Sequence, residues 1–181
     1  MQRTLVILKP DALQRHLVGR ILQRFEDAQL QITAMRMLQP SRRMIERHYP
    51  DDEEFVARLG SKTLDAYHET GEDCADIFES NDSVVIGRTI RRWLVDYLCD
   101  GEVVAMIIVG ERAVERVRAL IGATIPNVAR PGTIRGDLCT DTPIAACRQK
   151  RAVMNLVHAS GTVQEAEDEI ALWFPDEVDK Q

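Results

Sequence analysis

Val103-Val104-Ala105-Met106-Ile107-Ile108-Val109 is an unbroken apolar run rich in β-branched side chains, and it is the most strand-like stretch of the chain. Asp100-Gly101 supplies a turn directly in front of it, which closes the helical spacing seen from Ile90 to Leu98. Behind it, Val114, Val117, Leu120 and Ile121 recur at helical spacing, and Gly122 can end that helix by taking a left-handed conformation. The run therefore reads as the central strand of a sheet, with a helix on either side of it in the chain.

Working outward, Thr4 to Leu8 predicts a first strand, and Val18, Ile21, Leu22, Phe25 and Ala28 mark one face of a following helix. Gln31 to Leu38 predicts a second strand that ends before Pro40, which lacks a ladder amide. Ser41 can then cap a short helix reaching His48 and Tyr49. Val153 to Val157 predicts the last strand, and Val163, Ala166, Ile170 and Trp173 a final helix begun near Thr162. The order βαββαβ fits an α+β protein: a ferredoxin-like sandwich with an antiparallel four-stranded sheet covered by helices on one face.

The length of 181 residues suits a single domain, 1–181. Between Pro50 and Asp82, eleven acids face only Arg58 and Lys62, yet Phe55, Leu59, Leu64, Ile77 and Phe78 interrupt them. That mixture is too apolar for a disordered tail and predicts a mainly helical acidic insertion made of short helices outside the main core. With 23 basic and 29 acidic residues the net charge is −6, so the chain as a whole repels nucleic acid and anionic membranes. Its apolar runs fall far short of a bilayer span, and the amino terminus has no signal-peptide pattern, so a cytoplasmic location is expected. Cys74, Cys99, Cys139 and Cys147 form no C-x-x-C pair and read as reduced thiols, not as a metal site.

Chemistry concentrates in three places. The loop from Gly122 to Asp137 combines glycines, Thr124, Thr133, Arg130 and Arg135, with Arg118 on the helix before it. Guanidinium forks and closely approaching amides are what a phosphate needs; the other reading is a solvated loop in which Arg135 pairs with Asp137. His158 stands at the end of the last predicted strand, where a neutral imidazole is either a structural residue or a nucleophile near pH 7. Glu169, on the final helix, is a candidate to orient it. Lys9 ends the first strand before Pro10, either solvated or aimed at a site along the sheet edge.

Taken in order, Leu8-Lys9-Pro10-Asp11, His48-Tyr49, Gly101 to Met106, Arg130 to Asp137, Asn155 to Ser160 and Glu169 to Phe174 resemble the motifs of the nucleoside diphosphate kinase family. Each is weak alone; their ordered spread over most of the chain is not. The resemblance implies reversible transfer of the terminal phosphoryl group from a nucleoside triphosphate to a nucleoside diphosphate, in two ping-pong half-reactions through a phosphohistidine on His158. It also implies that Tyr49 and Glu169 position the histidine, that Arg118, Thr124 and Arg135 hold phosphates, and that Lys9 and Asn155 contact sugar and phosphate. Mg2+ is expected to arrive on the nucleotide phosphates, with no metal site of the protein's own. A homo-oligomer, a hexamer in the family, is expected too.

The chain departs from the compact family pattern by insertions at about 50–90 and 140–150, both bordering the expected nucleotide pocket. They blur the residue that stacks on the base: Leu94, Ile90 or Phe55 can serve. Ser160-Gly161-Thr162 stands where the family carries Ser-Asp-Ser, losing an acid but keeping hydroxyls able to cap a helix. An alternative function is a catalytically silent nucleotide-binding regulator, from which steady turnover would discriminate an enzyme.

Overall fold

A computed structural model describes residues 1–70 and 75–178, so Glu72, Asp73 and Cys74 of the acidic segment lie outside the described residues. Along the chain come β1 (Gln2–Leu8), α1 (Pro10–Gln14), α2 (Val18–Asp27), β2 (Gln31–Leu38), α3 (Arg42–His48), α4 (Glu53–Thr70), α5 (Ala75–Phe78) and α6 (Ser83–Cys99). They are followed by β3 (Val103–Gly110), α7 (Ala113–Ile121), α8 (Ile134–Leu138), α9 (Pro143–Arg148), β4 (Val157–Ala159) and α10 (Val163–Trp173). Two compact units result, one of residues 1–40, 101–140 and 155–181, the other of residues 41–100 and 141–154. No helix among the described residues is long and apolar enough to cross a membrane.

The first unit holds a four-stranded antiparallel sheet in the order β2-β3-β1-β4, the α+β sandwich expected from the order of elements. Val6, Leu8, Met106 and Ile108 point to one side, where Ile21 and Phe25 of α2 and Val117 and Ile121 of α7 close the core. Leu5, Ile7, Ala105 and Ile107, on the opposite face by the alternation of a strand, are equally buried. α10 packs against β1, and Phe174, just past its end, takes the guanidinium of Arg36 over its ring. Helices therefore cover both faces and not one, which is the physical sense of strands that are apolar at every position.

The last strand begins later than expected. Residues 153–156 are irregular, and β4 spans only Val157–Ala159, pairing Val157 with Leu8 and His158 with Ile7. Leu156 has a φ of +64°, a backbone turn that no apolar pattern announces. The stretch from Gly122 to Asp137 is not loop throughout either: Thr133 caps α8, its hydroxyl accepting from the Gly136 amide at 3.1 Å. Gly122 ends α7 with a φ of +85°, and a Cβ there would fall 2.4 Å from the Thr133 hydroxyl, so conformation and space both require glycine.

The second unit contains the insertions. Its helices are longer than the short ones expected: α4 runs 18 residues, and α6 starts at Ser83 because Asp82 caps it, accepting from the Val84 and Val85 amides. Gly60 and Gly87 are the close contact between α4 and α6. A Cβ on Gly60 would lie 1.8 Å from the Ser83 carbonyl oxygen, and one on Gly87 1.7 Å from that of Val56. Ile86, Trp93, Cys147 and Ala152 form a core of this unit's own, with Ile90 and Leu94 packed on it. The segment 141–154 is tied by Asp141, which takes a bidentate Arg151 at 2.6 and 3.0 Å and the Met154 amide at 2.8 Å.

Candidate active site

Because β4 pairs with β1, its central residue, His158, lies across from Ile7, and the ring meets α10. The His158 Nε2 is 2.8 Å from Glu169 Oε1. The other oxygen of that carboxylate accepts the Ser160 hydroxyl at 2.6 Å, and Ser160 Oγ in turn accepts the Leu5 amide at 3.3 Å. Ser160 and Glu169 are buried while His158 is partly exposed, so a partly exposed ring is fastened through a buried relay to the first strand. A carboxylate at Nε2 draws the ring proton to that nitrogen and leaves the lone pair on Nδ1. In that tautomer Nδ1 is the ring's nucleophilic nitrogen, and Glu169 stands where it would balance a charge on the ring.

α10 is held at the distance this requires. Thr162 is its N-cap, accepting from the Glu165 amide at 3.1 Å, and the Glu165 carboxylate reaches back to the Gly161 amide at 2.7 Å. The hydroxyl expected to cap this helix does so. Beside that turn stands Arg118, in the last turn of α7, its Nη1 3.6 Å from where a Cβ on Gly161 would be. The arginine is thus beside the segment that immediately follows His158.

Lys9 is buried at 4% exposure, and its Nζ donates to Asn155 Oδ1 at 2.7 Å. Burial, and next the neighbouring Arg135 cation, lower its pKa to about 8, against the raising effect of Asp11 and Cys139. Pro10 explains its geometry: proline keeps Lys9 extended and opens α1 as its first residue, so the strand ends where the ammonium turns inward. Asn155 completes the link by donating its Nδ2 to the Thr124 carbonyl at 2.9 Å.

Arg135 is buried and does not pair with Asp137. Its Nε donates to the Asn155 carbonyl at 3.1 Å, its Nη1 to those of Gly122 and Ala123 at 3.0 and 3.2 Å, and its Nη2 to that of Val157. The guanidinium ties the loop after α7 to the strand that carries His158. Asp137 instead accepts the Gly132 amide and Arg24, which hold its carboxyl below the usual carboxylate range.

The structure thus brings together His158, Glu169, Arg118, Lys9, Asn155, Thr124 and Arg135 within the first unit. Tyr49 and Leu94 belong to the second unit. There the Tyr49 carbonyl accepts Arg91 Nε at 2.7 Å, its ring lies 6.3 Å from that of Phe55, and Leu94 packs on the Ile86–Trp93 core. Ser160 and Asp11 were legible only as letters within motifs; their buried hydrogen bonds were not.

Fold and site together define a ferredoxin-like α+β protein built around a histidine held by a buried carboxylate. The family model described as nucleoside diphosphate kinase matches residues 2–91 and 83–178. A nucleoside diphosphate kinase from Pyrobaculum aerophilum is 49% identical over 177 residues, covering 98% of this chain and 97% of that relative. The crystal structure of an NDP kinase from the same organism superposes with a TM-score of 0.91, at 48% identity over 97% of each chain. A transition-state mimic of the nucleoside-diphosphate kinase from Borrelia burgdorferi, with bound vanadate and ADP, gives a TM-score of 0.74 at 28% identity, covering 97% of this chain and 88% of that one. The chain belongs to the nucleoside diphosphate kinase family.

Proposed function

We propose that this chain transfers the terminal phosphoryl group of a nucleoside triphosphate to a nucleoside diphosphate, reversibly, by a ping-pong mechanism on His158. The observation that carries the reading is the Ser160–Glu169–His158 relay, which sets the ring with Nδ1 as the nucleophilic edge. In the first half-reaction Nδ1 attacks the terminal phosphorus, a nitrogen–phosphorus bond forms, the bond to the bridging oxygen breaks, and the diphosphate leaves. In the second, a terminal oxygen of another diphosphate attacks the same phosphorus and the histidine is released. Arg118, Thr124 and Arg135 are assigned to holding the phosphates, and Lys9 with Asn155 to the sugar and phosphate end. Tyr49 is assigned to steadying the histidine and Leu94 to the base, on the strength of the family motifs they stand in or near.

Mg2+ fits this site as a passenger on the nucleotide. The carboxylate at the ring, Glu169, is committed to His158 and Ser160, so the donors here suit an ion held by phosphate oxygens, not by the protein. When bound it neutralises phosphate charge, and the chain's own residues supply orientation and the nucleophile.

We read the chain as one nucleoside diphosphate kinase-like domain with its insertions, acting in the cytoplasm as a homo-oligomer, a hexamer by family likeness. The edge strand β2 supports assembly, since it carries Met35 at 54% and Met37 at 59% exposure. The deciding experiment mixes the protein with Mg2+, ATP labelled on its terminal phosphate and unlabelled GDP. Wild type is expected to make labelled GTP through an acid-labile, alkali-stable label on protein, and His158→Ala to do neither. Wild type that binds ATP without passing label on would make the chain a nucleotide-binding regulator.

A further inference from the structure

The three residues that lead into His158 form a turn under strain. The Val157 amide donates to the Asn155 carbonyl at 2.7 Å, two residues back, around a Leu156 whose φ is +64°. That is a γ-turn of the positive-φ kind, rare and unfavourable for a bulky side chain, and it persists only where its surroundings over-determine it. β4 cannot do so itself, being three residues long with His158 in the middle. Whatever holds the turn therefore sets the direction in which the imidazole leaves the backbone.

The holding comes from the segment after β1. The Lys9 amide donates to the Leu156 carbonyl at 2.8 Å, and the Leu156 amide donates to Asp11 Oδ2 at 3.1 Å. Asp11 is buried and sits in the first turn of α1, where an acid would ordinarily serve the helix's own amides; this helix has no side-chain cap. Instead the carboxylate reaches to the chain just before the histidine. Both peptide groups of the strained residue are thus clamped, one by a backbone amide that any sequence could supply, the other by a side chain that must have this reach.

We propose that Asp11 is a positioning residue: by accepting the Leu156 amide inside the strained turn, its carboxylate sets the direction in which β4 delivers the His158 ring. The proposal rests on the phosphohistidine reading above, and it assigns Asp11 no contact with substrate. An aimed acceptor and a mere negative charge make opposite demands. Asp11→Asn keeps an oxygen at the same reach and loses the charge. Asp11→Glu keeps the charge and displaces the oxygen by a methylene.

The test compares wild type, Asp11→Asn, Asp11→Glu and Asp11→Ala in single-turnover labelling from terminally labelled ATP with Mg2+, with KM and kcat measured separately. The 15N and ring-proton signals of His158 are recorded on the resting proteins. An aimed acceptor predicts that Asp11→Glu slows labelling by at least tenfold with KM changed by less than threefold and with shifted His158 ring signals. Asp11→Asn recovers most of the rate and the wild-type signals. Asp11→Ala follows Asp11→Glu if it folds, and the Asn and Glu pair decides if it does not. The proposal is overturned if Asn is the slow variant and Glu the fast one, if both alter only KM, or if the ring signals are the same in all folded variants. Should wild type take no label while the ring signals still move in Glu and not in Asn, the phosphoryl-transfer reading fails and the positioning role stands.

Discussion

At the scale of single residues, the site works because each ionisable group has been given one task by its neighbours. Glu169 spends one oxygen on His158 and the other on Ser160. An amide in its place cannot neutralise the imidazolium, so Glu169→Gln is expected to lower kcat by roughly a hundredfold while nucleotide KM changes little, measured by steady-state kinetics at saturating GDP. Lys9 makes a separate, pH-dependent contribution. Its folded pKa is about 8, below the 10.5 of an ordinary lysine. Below about 8 the ammonium is charged in folded and unfolded chains alike; between about 8 and 10.5 the folded chain has released a proton that the unfolded chain still holds. Stability from this group therefore rises with pH across that window. With Lys9 at the phosphate end as proposed, nucleotide binding has the opposite sign: KM for ADP is expected to climb above pH 8, and Lys9→Met to abolish that limb of the profile. The lysine and its proline were plain in the sequence; that the ammonium is buried against Asn155 was not, because burial depends on chain segments 146 positions apart.

At the scale of elements, glycines and caps decide where helices run. Gly87 lets α6 lie against the backbone of α4, so Gly87→Ala must separate two helices and is expected to cost about 1–3 kcal/mol, read as a lower urea midpoint. Gly122 does a different job, ending α7 with a positive φ and an extended ψ, and its carbonyl accepts Arg135. Gly122→Val combines backbone strain with a clash on Thr133 and is expected to lose about 1–3 kcal/mol by the same denaturation assay, and to loosen the phosphate loop. Element identity was largely legible: β2 has the bounds its alternation and Pro40 implied, and Ser41 caps α3 as its hydroxyl suggested. Boundaries were misread where tertiary contacts overrule local pattern. α4 passes through Gly60 because α6 needs the space, and β4 starts at Val157 because Leu156 is bent out of strand geometry.

At the scale of the whole molecule, an acidic chain of net charge −6 must attract a polyanion to a local site. Arg118, Lys9 and Arg135 all serve the first unit, while the acid-rich stretch of the insertion falls in the second. Long-range repulsion is screened within about 8 Å at physiological salt, so local cations prevail at close range. The exposed methionines of edge strand β2 are the candidate contact for the proposed assembly. The double variant Met35→Lys, Met37→Lys is expected to lower the molar mass seen by light scattering, whereas a wild type that is monomeric from the outset would remove the assembly reading.

By itself the sequence determined the order of strands and helices, the existence of a helical insertion and the family, because periodicity, turn residues and ordered motifs are local properties of the chain. Tertiary structure alone decided that helices cover both faces of the sheet and that Arg135 faces carbonyls and not Asp137. It also decided that Asp11 grips the turn before His158. Those facts depend on which buried donors find which acceptors once distant segments meet, and desolvation makes each such match compulsory without leaving a trace in the spacing of residues.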